Sequence, residues 1–121
     1  MRHARPATRP RLLLVGRDLH EAERARRLLP LAVGVLHAPS QALSELSAAD
    51  AVLLEDRGWP AAEEEALAQL RRLSAARTLA LILSRRRGER AESAGPPVVE
   101  RPYRMEEIVQ AVRLAILRRK A

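Results

Sequence analysis

Short apolar runs alternate along this chain with stretches in which apolar residues recur at helical spacing. The runs at 11–17, 51–55 and 78–84 each hold four or more consecutive apolar residues closed by Gly, a charge or Ser. Runs that short and that continuous read as strands covered on both faces, the signature of a parallel sheet. A run at 31–38 and a shorter one at 97–100 complete a set of five strands. The central one, Ala51-Val52-Leu53-Leu54, ends in the carboxylates Glu55 and Asp56 and a Gly58-Trp59-Pro60 turn.

Between the strands the period changes to that of a helix. Asp18 stands where an N-cap belongs, Glu21 follows at capping-box spacing, and Ala22, Ala25, Leu28 and Leu29 form an apolar stripe that Pro30 ends. Pro39 and Ser40 open a short helix with Ser40 as its cap and Ala42, Leu43 and Leu46 as its inner face. Pro60 suits the first position of a third helix. In that helix Glu63, Glu64 and Glu65 open the first turn, Arg71 and Arg72 close the last, and Ala66, Leu67, Leu70 and Leu73 point inward. Residues 85–97 break the pattern with three arginines, Gly88 and a Gly-Pro-Pro, leaving room for a turn or two of helix at most. Met105 to Lys120 is the clearest helix, with Met105, Ile108, Val109, Val112 and Ile116 as its stripe and charges that suit its dipole at both ends.

The order β-α-β-α-β-α-β-(weak α)-β-α predicts an α/β fold with a parallel sheet and helices on both faces, joined by right-handed crossovers. The 121 residues suit one domain, spanning 11–121, behind a Pro- and Arg-rich tail at 1–10 expected to be disordered. With 47% apolar residues but only one Trp, one Tyr and no Phe, the core is aliphatic. The absence of cysteine excludes disulfides and thiolate chemistry and points to a reducing cytoplasm. No apolar stretch approaches the length of a membrane span. The net charge of +7 is carried almost wholly by arginine, which clusters at 2–11, 85–90 and 118–120 with no aromatic residue among those clusters. A base-stacking platform is therefore not expected, and binding of nucleic acid through its phosphates is a lesser alternative.

The candidate chemistry lies at the C-terminal ends of the strands, where parallel sheets place their sites. Asp56 is the first candidate there and Glu55 the alternative. An independent enzyme is not expected. Gly16 is alone rather than part of a phosphate-binding loop, there is no nucleophile elbow, and His3, His20 and His37 lack metal-ligand spacing.

Four landmarks make the chain resemble the receiver domain of two-component response regulators. Asp56 is followed four residues later by Pro60, Ser84 ends the fourth strand, Arg101-Pro102-Tyr103 follows the fifth, and Leu12 to Val15 lead into the first loop. The resemblance implies a flavodoxin-like (βα)5 fold with strand order 2-1-3-4-5. The segment after Ser84 is short, so the fourth helix should be shortened or missing. It also places the phosphoacceptor-equivalent position at Asp56, or at Glu55 if the register slips by one, in which case Glu55 resembles a mimic of the charged state and phosphorylation is lost. In receivers an acidic pair after the first strand helps to hold Mg²⁺, but here those positions are Gly16 and Arg17, and Arg101 stands in place of a lysine. Mg²⁺ needs carboxylate ligands, so no metal or other cofactor is expected.

The reading is therefore a degenerate receiver acting in phosphorelay signalling as a phosphorylation-independent protein-interaction module. Arg17 and Arg101 would pair with Asp56 and Glu55, and Tyr103 would be a fixed plug rather than a rotating switch. A phosphorylatable receiver with an unusual metal site is the alternative. No output domain follows the last helix in this sequence, so the effect is expected to pass through a protein partner or a homodimer. The surface proposed for it is the fifth strand and the last helix, with Ile108, Val112 and Ile116 as the face.

Overall fold

The computed structural model describes residues 10–88 and 95–120. Five parallel strands, β1 (Arg11–Val15), β2 (Ala32–Leu36), β3 (Ala51–Glu55), β4 (Leu81–Arg86) and β5 (Val98–Arg101), form one sheet in the order β2-β1-β3-β4-β5. The helices are α1 (Leu19–Leu28), α2 (Pro39–Glu45), α3 (Glu64–Ala75) and α4 (Met105–Lys120). The expected fold and strand order are therefore present. The tail at 1–9 and any helix at 89–94 lie outside the described residues. Pro10 belongs to the fold, because its carbonyl accepts from the Ala32 N–H and continues the β1–β2 ladder.

The three central strands are covered on both faces, as their unbroken apolar runs require. Leu12, Leu14 and Leu53 face one core with Ala22 and Ala25 of α1 and Ile108, Val112 and Ala115 of α4. Leu13, Val15, Val52 and Leu54 face the other, with Ala42 of α2 and Leu70 of α3. Asp50 extends the β1–β3 contact, its carboxylate accepting from the Arg11 N–H at 2.7 Å.

Several expectations need correction. Ser40 is not the cap of α2: Pro39 holds the first position, and the Ser40 N–H and hydroxyl both donate to the Glu63 carboxylate. Pro60 precedes a 3-10 turn over Ala61–Glu63, and α3 starts only at Glu64. β4 begins at Leu81 rather than Thr78 and runs through Arg86, so Arg85 is a strand residue and buried. Leu28 of α1 is exposed. On α4, Ile108 and Val112 are fully buried in the domain's own core and Ile116 packs against it, so these three cannot form an outward face. The apolar residues that α4 turns to solvent are Leu114 and Leu117.

Candidate functional site

The C-terminal edge of the sheet gathers the ends of β1, β3, β4 and β5. Pairing of Glu55 with Ser84 fixes how the chain leaves β3 and β4. Side chains alternate across a strand, so consecutive carboxylates at its end point to opposite sides. Glu55 turns toward the β1–α1 loop and β5. Asp56 turns toward α3 and the end of β4.

Glu55 is buried and completely engaged. One oxygen accepts from the Arg17 backbone N–H at 2.7 Å, and the other meets the Arg101 guanidinium in an ion pair. Gly16 creates the room for this: a Cβ there would lie 2.8 Å from the Glu55 carboxylate oxygen. The Glu55 backbone carbonyl is also used, accepting the indole N–H of Trp59 at 2.5 Å. Trp59 itself is half-buried against the core on the α2–α3 side.

Asp56 has different partners from those expected. Its Oδ2 accepts from Nε of Arg85 at 3.1 Å and from Nη2 of Arg71 at 3.3 Å. The Asp56 and Arg85 side chains are each only 3% exposed. Such a pair gives little net stability over an apolar pair, but breaking it costs about 3–5 kcal/mol. The expected four-member set thus divides in two. Arg101 and the Arg17 backbone hold Glu55, while two arginines that the sequence did not single out hold Asp56. The Arg17 guanidinium goes elsewhere, donating to the Gly58 carbonyl. Arg85 lies one residue past Ser84, and Asp56 one past Glu55. Given the parallel register, that offset was the signal for their meeting.

Ser84 and Tyr103 form a buried hydroxyl pair, 2.8 Å apart. Tyr103 is 3% exposed, and burial pushes its phenol up to about 12. Its backbone is clamped from α1. Glu21 Oε1 accepts from the Tyr103 N–H at 2.7 Å, and Arg24 donates to the Tyr103 carbonyl at 3.1 Å. Glu21 therefore does not close a capping box, although Asp18 caps α1 as expected by accepting from the Glu21 N–H at 3.1 Å. The Arg101–Pro102 peptide is cis.

An open cleft of about 570 Å³ lies over this edge, lined by Arg17, Asp18, Glu21, Glu55, Arg86, Arg101 and Pro102. Among the described residues no three His, Asp or Glu side chains come together in a group that could hold a metal ion. No described helix is long and apolar enough to cross a membrane.

No protein-family model and no curated protein matches the sequence. Solved structures do. A signal receiver domain of an HD domain-containing protein from Pseudomonas fluorescens Pf-5 is 22% identical with a TM-score of 0.68, over 93% of this chain and 98% of that one. A sensor protein from Polaromonas sp. JS666 is 20% identical with a TM-score of 0.72, over 92% and 98%. A response regulator receiver domain protein from Clostridium thermocellum is 15% identical with a TM-score of 0.69, over 92% and 97%. At these identities the likeness is one of fold: the chain has the fold of response-regulator receiver domains over nearly its whole length.

Proposed function

We propose that this receiver fold serves two-component signalling as a phosphorylation-independent interaction module. In it the Glu55–Arg101 pair stands where a phosphorylated aspartate, its metal and a lysine would otherwise meet. The observation that carries the reading is the seat of Glu55. Its carboxylate is fixed between the Arg17 N–H and the Arg101 guanidinium, in space that only a glycine at 16 leaves open. In this reading Glu55, not Asp56, takes the functional place at the strand end. It is one methylene longer than aspartate and already paired with a cation of the protein itself.

Asp56 supports the reading from the other side. A phosphoacceptor must offer a carboxylate oxygen to solvent for in-line attack. The Asp56 side chain is 3% exposed, and two guanidinium groups engage its Oδ2. The donor set also does not suit Mg²⁺. Gly16 offers no side chain, Arg17 is a cation, Glu55 is spoken for, and Asp56 turns away. A hard divalent ion needs oxygen ligands in near-octahedral array and is not stabilised by guanidinium neighbours.

The module binds rather than catalyses, and the partner we assign is a second copy through α4 and β5. Leu114 and Leu117 are 58% and 64% exposed on the outer side of α4. Glu106 and Glu107 open this helix, and Arg118, Arg119 and Lys120 close it. Antiparallel packing of two copies would set acidic end against basic end around the leucines. In sedimentation, Leu114→Glu should lower the dimer fraction and leave unfolding unchanged. A monomer at all concentrations would transfer the face to a different protein.

The test of the central reading is exposure to acetyl phosphate with Mg²⁺, followed by intact mass and calorimetry. No phosphoryl adduct and no Mg²⁺ heat are expected. An adduct on Asp56 that disappears in Asp56→Asn would replace this reading with a phosphorylatable receiver.

A further inference from the structure

We infer that the cleft beside Trp59 binds a small planar organic anion, its apolar body against Trp59, Leu19 and Pro60 and its charged group on Arg17. This goes beyond the interaction-module reading, because it assigns a ligand to a part of the sheet edge that neither Glu55 nor Asp56 occupies.

The cleft holds about 480 Å³ between the β1–α1, β2–α2 and β3–α3 loops, and its lining is mainly apolar. Leu19, the first residue of α1, stays 53% exposed at its margin. Trp59 is not free to turn, because its indole N–H is bonded to the Glu55 carbonyl at 2.5 Å. A fixed aromatic ring beside exposed aliphatic surface suits a flat apolar ligand, whose burial stabilises the complex without costing side-chain freedom.

Charge selects the anion. Arg17 lines this cleft and also the larger one over Glu55. Its guanidinium donates to the Gly58 carbonyl and has no carboxylate partner among the described residues. Gly58, at φ +84°, lets the guanidinium lie close against its backbone: a Cβ there would be 2.6 Å from the Arg17 Nη1. The Arg86 side chain, in the adjoining cleft, makes no ion pair or hydrogen bond among the described residues. The neighbouring acids are all engaged. Asp18 caps α1, Glu21 holds the Tyr103 N–H, Glu55 is paired with Arg101, and Glu63 accepts from Ser40. The side chains of Arg17 and Arg86 therefore make no ion pair among the described residues, beside a mainly apolar cleft. An anionic group would satisfy the guanidinium donors that Gly58 leaves open, through hydrogen bonds stronger than those between neutral groups.

The test uses naphthalene-1-acetate and its neutral amide as probes, without Mg²⁺ or a phosphoryl donor, so its failure would leave the interaction-module reading standing. Trp59 is the only tryptophan, so its indole N–H gives one resonance. Titration with the anion should shift that resonance saturably and bind about tenfold more tightly than the amide, the ratio expected from one charge-assisted contact. Arg17→Gln should erase the preference, and Arg86→Gln should reduce it. Leu19→Ser should weaken both probes alike. Should Arg17→Gln fail to fold, the comparison of anion and amide on the unaltered protein still decides. Equal affinity for the two probes, an unmoved Trp59 resonance at the solubility limit, or an anion preference that survives Arg17→Gln would overturn the proposal.

Discussion

Replacing Arg101 by Leu removes the cation that faces Glu55 and leaves the carboxylate in place. The Glu55 side chain is 8% exposed and that of Arg101 21%. A carboxylate stripped of its partner at a buried site costs about 3–5 kcal/mol. Two features reduce that figure here. The Arg17 N–H still donates to Glu55 at 2.7 Å, and the cleft above is open to water. A loss of about 2 kcal/mol is the expected result. At this chain length it corresponds to a fall in Tm of roughly 8 °C, taking about 4 °C per kcal/mol. Urea unfolding followed by far-UV circular dichroism measures it directly. The informative comparison is with Glu55→Gln in the same background. Gln keeps the shape and removes the charge, so the double variant should recover most of the loss, with a coupling of about 1–2 kcal/mol between the two sites. Additive effects would mean that the ion pair contributes nothing specific, and the argument for Glu55 as the functional carboxylate would lose its footing.

Gly16→Ala should destabilise by about 1–2 kcal/mol, because the new methyl displaces a carboxylate held on two sides; in a Glu55→Ala background the same change should be nearly silent in thermal melts. Asp18→Ala should cost about 1 kcal/mol through loss of the α1 cap, measured by chemical unfolding. Tyr103 sets an alkaline limit. In the fold its phenol holds its proton to about pH 12, against about 10 in the unfolded chain, so between these values the unfolded state carries fewer protons and stability falls as pH rises. The contribution is complete below pH 10 and lost by pH 12, about 2–3 kcal/mol in all, and stability curves of Tyr103→Phe should lack that descent.

The sheet was legible because its three central strands are buried on both faces, which makes each a continuous apolar run with sharp ends. The site was legible as a pair of adjacent carboxylates. Glu55 and Asp56 are adjacent at the end of a strand, where a shift of one position exchanges the two sides of the sheet. Counting from Pro60 favoured Asp56. In the structure Glu55 pairs with Arg101, and Asp56 with Arg85 and Arg71. Arg85 was read as the start of a charged loop because three arginines follow one another. The strand continues through the first two of them, with Asp56 beside the buried one. The misplaced face on α4 has a simple cause. Its apolar residues cover more than half of the helix, and spacing alone did not separate those facing the sheet from Leu114 and Leu117.

The clamp of Glu21 and Arg24 on the backbone of Tyr103 joins residues 82 and 79 positions apart. During synthesis, α1 can form long before that partner exists. Until residue 103 has left the ribosome, the Glu21 carboxylate has no Tyr103 N–H to accept from, and the core that α1 shares with α4 is still missing Ile108, Val112 and Ala115. The first helix is thus completed by a segment of the chain that emerges long after it. Assembly of this edge of the sheet should be a single late event rather than a gradual build from the N-terminus.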